Sequence, residues 1–237
     1  MATIIFDVDD TLYDQLIPFR NAFHETICPV TGDEINHLYR LNREKSDDLF
    51  EESESGVLLK SEMHVMRIQH ACEQMNLPIS RETALTFQQA YEEEQKQLVL
   101  YPEIKELLDK LVQHDHQLAL LTNGASVHQQ KKIDQLGLAK WIDQDHTFIS
   151  GELGKMKPDT AVFKMVESAL TLEDEKPIYI GDSFQNDIVG GVNAGWTVIW
   201  LNTRQNKKTD EHIQPDKIVH HPSELLEYFE ALGYIKK

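Results

Sequence analysis

The chain has 237 residues, 41% of them hydrophobic and 27% charged, with 40 acidic against 23 basic side chains and a formal net charge of −17. A chain of this length carries a full core, no apolar run is long enough to span a bilayer, and the acidic field repels polyanions, which argues against nucleic-acid partners. Cys28 and Cys72 stand far apart and outside any Cys-x-x-Cys spacing, indicating neither a disulfide framework nor a zinc site, and a start that runs directly into a strand without signal-peptide features gives a cytoplasmic address as the expectation.

Thr3-Ile4-Ile5-Phe6 reads as a short strand buried on both faces, the kind found in parallel sheets covered by helices. It leads into Asp7-Val8-Asp9-Asp10-Thr11, for which a turn followed by a helix cap is the plain structural reading. Residues 15–96 are helical in pattern. A helix at 17–26 has Pro18 in its opening turn, and one at 33–48 has Ile35, Leu38 and Tyr39 on one face with Asp33 as cap. A break at 51–56 precedes a helix at 61–75, with Met63, Met66, Ile68 and Met75 as core, and another helix opens after Ser80 and continues through Glu92-Glu93-Glu94.

From Tyr101 onward helix and strand alternate. Leucines at 107, 108 and 111 mark an amphipathic helix at 103–114; a buried strand at 117–122 ends in the sharp turn Asn123-Gly124. A helix at 127–136 stops at Gly137, a strand covers 146–150, a helix 159–170 and a strand 177–181. The helix at 186–194 contains Gly190-Gly191, a pair that implies close packing on the sheet; strands at 197–201 and 217–219 and a helix at 223–232 complete the chain. His114, His116, His220 and His221 read as solvated surface residues.

Alternation of this kind predicts an α/β fold, a doubly wound Rossmann-like parallel sheet core made from 1–14 and 97–237, with an inserted four-helix cap domain at 15–96. Two chain crossings between two such units suit hinge closure over a crevice.

The carboxyl ends of the strands, where open α/β sheets bind ligands, carry Asp7 and Asp9, Thr122 with Asn123-Gly124, Lys157 before Pro158, and Gly181-Asp182-Ser183 with Asp187. Each group alone has a turn or cap explanation. Together they suit phosphoryl transfer. An aspartate attacks phosphorus once the phosphate charge is neutralised, Mg2+ is held by a few carboxylate oxygens, and a hydroxyl, backbone amides and a lysine spread the remaining charge. A second carboxylate two residues on protonates the leaving alkoxide and then activates water.

With these motifs the chain resembles the haloacid dehalogenase superfamily of hydrolases, specifically its phosphatase branch. Asp7, Asp9 and Thr11 match its Asp-x-Asp-x-Thr motif, Thr122 its second, Lys157-Pro158 its third, and Gly181, Asp182 and Asp187 its Gly-Asp-x-x-x-x-Asp motif. The resemblance implies Asp7 as nucleophile and metal ligand, and Asp9 as acid/base with its carbonyl on Mg2+. It further implies Asp182 as a direct ligand, Asp187 as support for the metal shell or for Lys157, and Thr122, the Asn123 amide and Lys157 as phosphate holders. Glu54-Ser55-Gly56 followed by Arg67 is similar to the nucleoside monophosphate and acylneuraminate phosphatase group.

The activity so implied is Mg2+-dependent hydrolysis of a small phosphorylated metabolite, a nucleoside monophosphate or sugar phosphate, through an aspartyl-phosphate. The alternatives are a sugar-phosphate phosphomutase, which uses the same motifs, and a 2-haloacid dehalogenase, against which Asp9 weighs. A non-enzymatic phosphoester-binding protein is opposed by the cost of burying carboxylates without a job. Specificity is expected from 51–60 and from Phe19 and Arg20; Asp10 is expected only to shape the turn; the oligomeric state is left open.

Overall fold

Strands β1 (Thr3–Phe6), β2 (Gln117–Thr122), β3 (Thr147–Ile149), β4 (Ile178–Gly181), β5 (Thr197–Leu201) and β6 (Lys217–Val219) form one parallel sheet in the order β3-β2-β1-β4-β5-β6. The computed structural model describes residues 2–172 and 176–236; the side chain of Glu54 lies outside the described set. β1 is central, with Ile5 opposite Ala119 of β2 on one edge and Tyr179 of β4 on the other. A strand flanked on both edges and covered on both faces has no solvated side, so every residue of Thr3–Phe6 is buried and no polar alternation is seen. The α/β, doubly wound, Rossmann-like architecture is the expected one. Its winding reverses between β1 and β4, where chain segments leaving adjacent strands part and open a crevice at the strands' carboxyl ends.

The chain divides into two compact units, one of Met1–Asp14 with Val99–Lys237 and one of Gln15–Leu98. In the first, the helix Thr160–Leu170 lays Val162, Phe163 and Val166 against Ile5, Ala119, Leu121 and Tyr179. Burial on this scale contributes about 1.5–3 kcal/mol for each large side chain before entropy is counted. The glycine pair has the packing reason its sequence suggests, since a Cβ at Gly190 would stand 2.7 Å from the Phe163 ring and one at Gly191 2.8 Å from Val198. The segment expected as a helix at 186–194 begins earlier, as a π-helical stretch Phe184–Val189 that passes into the α-helix Gly190–Ala194.

The second unit packs the helices Leu16–Thr26, Gly32–Asp48, Lys60–Gln74 and Arg81–Glu94, with a short Phe50–Glu54 helix where a break was expected. The interruption falls later, at Gly56, whose φ of 77° a helix cannot accommodate. Thr31, not Asp33, caps the second helix, in a reciprocal capping box with Glu34. Phe19 is fully buried among Phe23, Tyr39, Phe87 and Tyr91, with ring centroids 5.3 Å from those of Tyr39 and Phe87. It belongs to the core of its unit, which removes it as a specificity residue. Met66, expected inside, is exposed, while Arg67 beside it is buried and donates to Gln88 at 2.8 Å.

Two histidines also depart from expectation. His116 is half-buried, accepting from the Ala2 amide at 3.1 Å with its other ring nitrogen 2.8 Å from the Tyr234 carbonyl, and His114 has Nδ1 2.8 Å from the Lys110 carbonyl. His116 ties the start of the chain to the segment at Tyr234, and His114 closes the end of its own helix, Pro102–Gln113. Cys28 and Cys72 are both free thiols. No helix among the described residues is long and apolar enough to cross a membrane.

Candidate active site

Asp7 follows β1 directly and is anchored there by its amide, which donates to the Ile180 carbonyl of β4 at 2.9 Å. Its Oδ1 lies 2.7 Å from Lys157 Nζ, and its Oδ2 accepts from Thr11 Oγ1 at 3.3 Å. Lys157 reaches the same point from the segment after the helix Ser150–Leu153, and its Nζ is also 2.6 Å from Asp187 Oδ1, 2.8 Å from Tyr179 Oη and 3.1 Å from the Leu121 carbonyl. An ammonium has three N–H donors, and here four acceptors surround it. Lys157 therefore acts on Asp7 and Asp187 in this arrangement and has no donor to spare.

Asp187 is brought back across the end of β4 by the wide turn of the π-helical stretch, a feature that recurs at functional sites. Its Oδ2 accepts from the Ser183 amide at 2.9 Å, and Ser183, with Oγ 3.2 Å from the Asn186 amide, caps that stretch. Gly181 makes the approach possible, because a Cβ there would sit 2.4 Å from Asp187 Cγ. The half-buried Asp182 has its backbone held by the Trp200 indole, which donates to its carbonyl at 2.7 Å. Oxygens of Asp7, Asp182 and Asp187 all lie within 4.8 Å of one another.

The electrostatics follow from burial. Desolvation pushes the Asp7 carboxyl up to about 7 against the pull of Lys157, and the Asp187 and Asp9 charges push the same way. For Lys157 burial alone would favour the neutral amine, but Asp187 and then Asp7 hold the ammonium well above its ordinary value. Burial, then Asp187, raises the Tyr179 phenol, keeping it a neutral hydroxyl. Three carboxyl groups against one ammonium leave oxygen acceptors and negative charge in excess. An all-oxygen donor set with that charge fits a hard divalent cation such as Mg2+.

Thr122 closes β2 and is buried; Asn123 uses its side chain to hold Lys157 in place, donating to the Lys157 carbonyl at 2.9 Å and accepting from its amide at 3.0 Å. Asp9 stands to one side of the Asp7–Lys157 group, with Lys132 Nζ 2.7 Å from each of its oxygens, Gln129 Nε2 3.0 Å from Oδ2 and the Tyr13 hydroxyl donating to Oδ1. Sequence reasoning missed Gln129, Lys132, Tyr13 and Tyr179. The first two left one signal, polar residues three apart on the inward face of a helix that starts just after β2. Asp10 does more than shape the turn: its backbone is left-handed at φ 58°, and Arg204 pairs with it at 2.8 Å and also with Asp14.

A family model described as haloacid dehalogenase-like hydrolase matches residues 4–201. The pyrimidine 5′-nucleotidase PynA of Streptococcus pneumoniae is 34% identical over 52% of this chain and 51% of its own length, so that match spans about half of each protein. The pyrimidine 5′-nucleotidase YjjG of Escherichia coli is 24% identical over 87% of this chain and 88% of its own. Among solved structures, the HAD-hydrolase YfnB of Bacillus subtilis, described as bound to magnesium, superposes with a TM-score of 0.68 at 24% identity, covering 96% of this chain and 97% of that one. At that identity the likeness speaks for the fold.

Proposed function

The chain belongs to the haloacid dehalogenase-like hydrolase family, and from that premise we propose that it is a Mg2+-dependent phosphatase of a small phosphomonoester, a nucleoside monophosphate or sugar phosphate. The observation that carries the reading is the gathering of Asp7, Asp182 and Asp187 oxygens at the point where the sheet reverses, with one buried ammonium, Lys157, paired to Asp7 and Asp187. Relatives named as nucleotidases support it. Free cysteines suit a reducing compartment, so the proposal includes a cytoplasmic address.

In this proposal the helical unit Gln15–Leu98 is the cap and the sheet unit carries the chemistry. Asp7 is the nucleophile. A lone pair of its carboxylate forms the new bond to phosphorus while the bond to the leaving oxygen breaks, giving an aspartyl-phosphate. Lys157, fixed by Asp187, Tyr179 and Asn123, keeps the Asp7 carboxylate in one orientation, which removes a search over rotamers from the reaction. Asp9 gives its proton to the departing alkoxide and afterwards takes one from the water that attacks the aspartyl-phosphate, so the enzyme returns to its starting state. Thr122 and the amide of Asn123, at the end of β2, receive the phosphate oxygens. Asp7, Asp182 and the Asp9 carbonyl are the proposed direct ligands, and Asp187, with both oxygens engaged by Lys157, Tyr179 and Ser183, supports them from outside. Bound there, Mg2+ supplies the charge neutralisation that lets an anionic nucleophile approach an anionic phosphate.

Release of inorganic phosphate from a panel of nucleoside monophosphates and sugar phosphates, in Mg2+ and in EDTA, tests the proposal. Activity in Mg2+ that disappears in Asp7→Asn is expected. Undiminished turnover in Asp7→Asn, phosphate release that ignores EDTA, or halide release from a chlorinated acid in place of phosphatase activity each sinks it.

A further inference from the structure

Lys132 and Gln129 are 4% and 3% exposed, on a helix, Ser126–Gln135, whose other side chains are mostly polar and outward. A lysine is held inside a protein only where an opposite charge meets it. Here that charge is the Asp9 carboxylate, gripped at both oxygens by Lys132 at 2.7 Å, at one by Gln129 at 3.0 Å and at the other by Tyr13, whose backbone pairs with that of Asp9. Gln129 is itself fixed, donating to the Asn123 carbonyl at 2.9 Å. The neighbouring turn is shaped to admit it, because a Cβ at Gly124 would stand 2.7 Å from Gln129 Nε2. Two elements of one unit thus converge on a single carboxylate that neither strand geometry nor the Asp7–Lys157 group requires to be held.

We propose that Lys132 is a positioning residue for Asp9: with Gln129 and Tyr13 it aims the carboxyl at the leaving oxygen, and it stands opposite the negative charge left on Asp9 once the proton has gone to the alkoxide. The proposal rests on the phosphatase reading above. It makes this clamp the determinant of how well esters of basic, slow-leaving alcohols are hydrolysed. Without it, an oxygen that departs readily as its own anion is affected little, whereas one that needs the proton suffers most.

The test is a series of substituted phenyl phosphates, from p-nitrophenyl phosphate to phenyl phosphate, assayed in Mg2+ with the full chain. Lys132→Met is expected to lose activity with a graded dependence, about 3-fold for p-nitrophenyl phosphate rising to about 100-fold for phenyl phosphate, on the scale of a general acid's contribution. The loss falls on kcat with KM nearly constant, and Lys132→Arg recovers most of it. Gln129→Leu, which removes no charge, shows the same gradient in weaker form and serves if Lys132→Met does not fold. An equal loss across the series, a loss confined to KM, or no loss overturns the clamp. Failure of the phosphatase reading looks different: the unaltered chain then releases no phosphate from any of these esters, or Asp7→Asn releases it as fast.

Discussion

Replacing Lys157 by methionine keeps the length of the side chain and removes its charge, leaving Asp7 and Asp187, 8% and 1% exposed, facing each other without the ammonium that stood 2.7 and 2.6 Å from them. Two buried carboxylates in contact do not both stay ionised, so one must take up a proton. Asp7 is the group that takes it, because burial already pushes its carboxyl up to about 7 against the pull of Lys157. With Asp187 left buried beside it and no ammonium, the loss expected at pH 7 is the roughly 3–5 kcal/mol that follows when one partner of a buried ion pair is deleted. At pH 5 the Asp7 carboxyl is protonated even with Lys157 in place, so only the Asp187 charge is stranded and the penalty is smaller. The sign follows from linkage: the variant's native state binds more protons than its unfolded state, so acid favours folding. All three tryptophans, Trp141, Trp196 and Trp200, lie in the sheet unit, so urea unfolding followed by their fluorescence, in EDTA, reports on that unit. A loss under 1 kcal/mol at pH 7, or one that does not shrink at pH 5, refutes the picture of Lys157 as the cation on which the cluster depends.

Gly181→Ala places a Cβ 2.4 Å from Asp187 Cγ and must move one or the other. It is expected to cost about 1–3 kcal/mol by overpacking, and to abolish most phosphatase turnover while far-UV circular dichroism stays native. Phe19→Ala empties the centre of the aromatic cluster in the helical unit and is expected to destabilise that unit by about 3–5 kcal/mol. The measurement is local amide hydrogen exchange in Leu16–Thr26 and Arg81–Glu94; an effect on substrate preference with no loss of protection would return Phe19 to the role of specificity residue. Burial pushes the Cys72 thiol up to about 12, whereas Cys28 is only half-buried, so at pH 8 a thiol reagent should modify Cys28 first and Cys72 only on unfolding. Equal rates in the native protein count against the packing described for Cys72.

Much of the fold was legible because its signals are local. Thr3–Phe6, Gln117–Thr122 and Thr197–Leu201 are apolar runs too short for helices, and their alternation with amphipathic segments leaves little choice but a parallel sheet. Element ends were less legible. Thr31 and Asp33 are both good caps, and only the reciprocal bond from Glu34 decides between them. The π-helical stretch after Ser183 has no periodic signature of its own, since the wide turn answers to the place Asp187 has to reach.

The sequence places Asp7, Thr122 and Asp182 at strand ends, because strand period and chain order put them on one edge of the sheet, whereas Lys157 arrives there from the segment after the helix Ser150–Leu153. It did not determine what those residues hold. Lys157 is engaged by Asp7, Asp187, Tyr179 and a carbonyl, Asn123 is spent on fixing Lys157, and Asp10 is paired with Arg204. Asp9 lies in the grip of Lys132 and Gln129, more than a hundred residues along the chain. Partners of that separation leave no spacing to read. Their meeting is a consequence of where the strands and helices pack, and the demand that every buried charge find an opposite one is satisfied only in three dimensions.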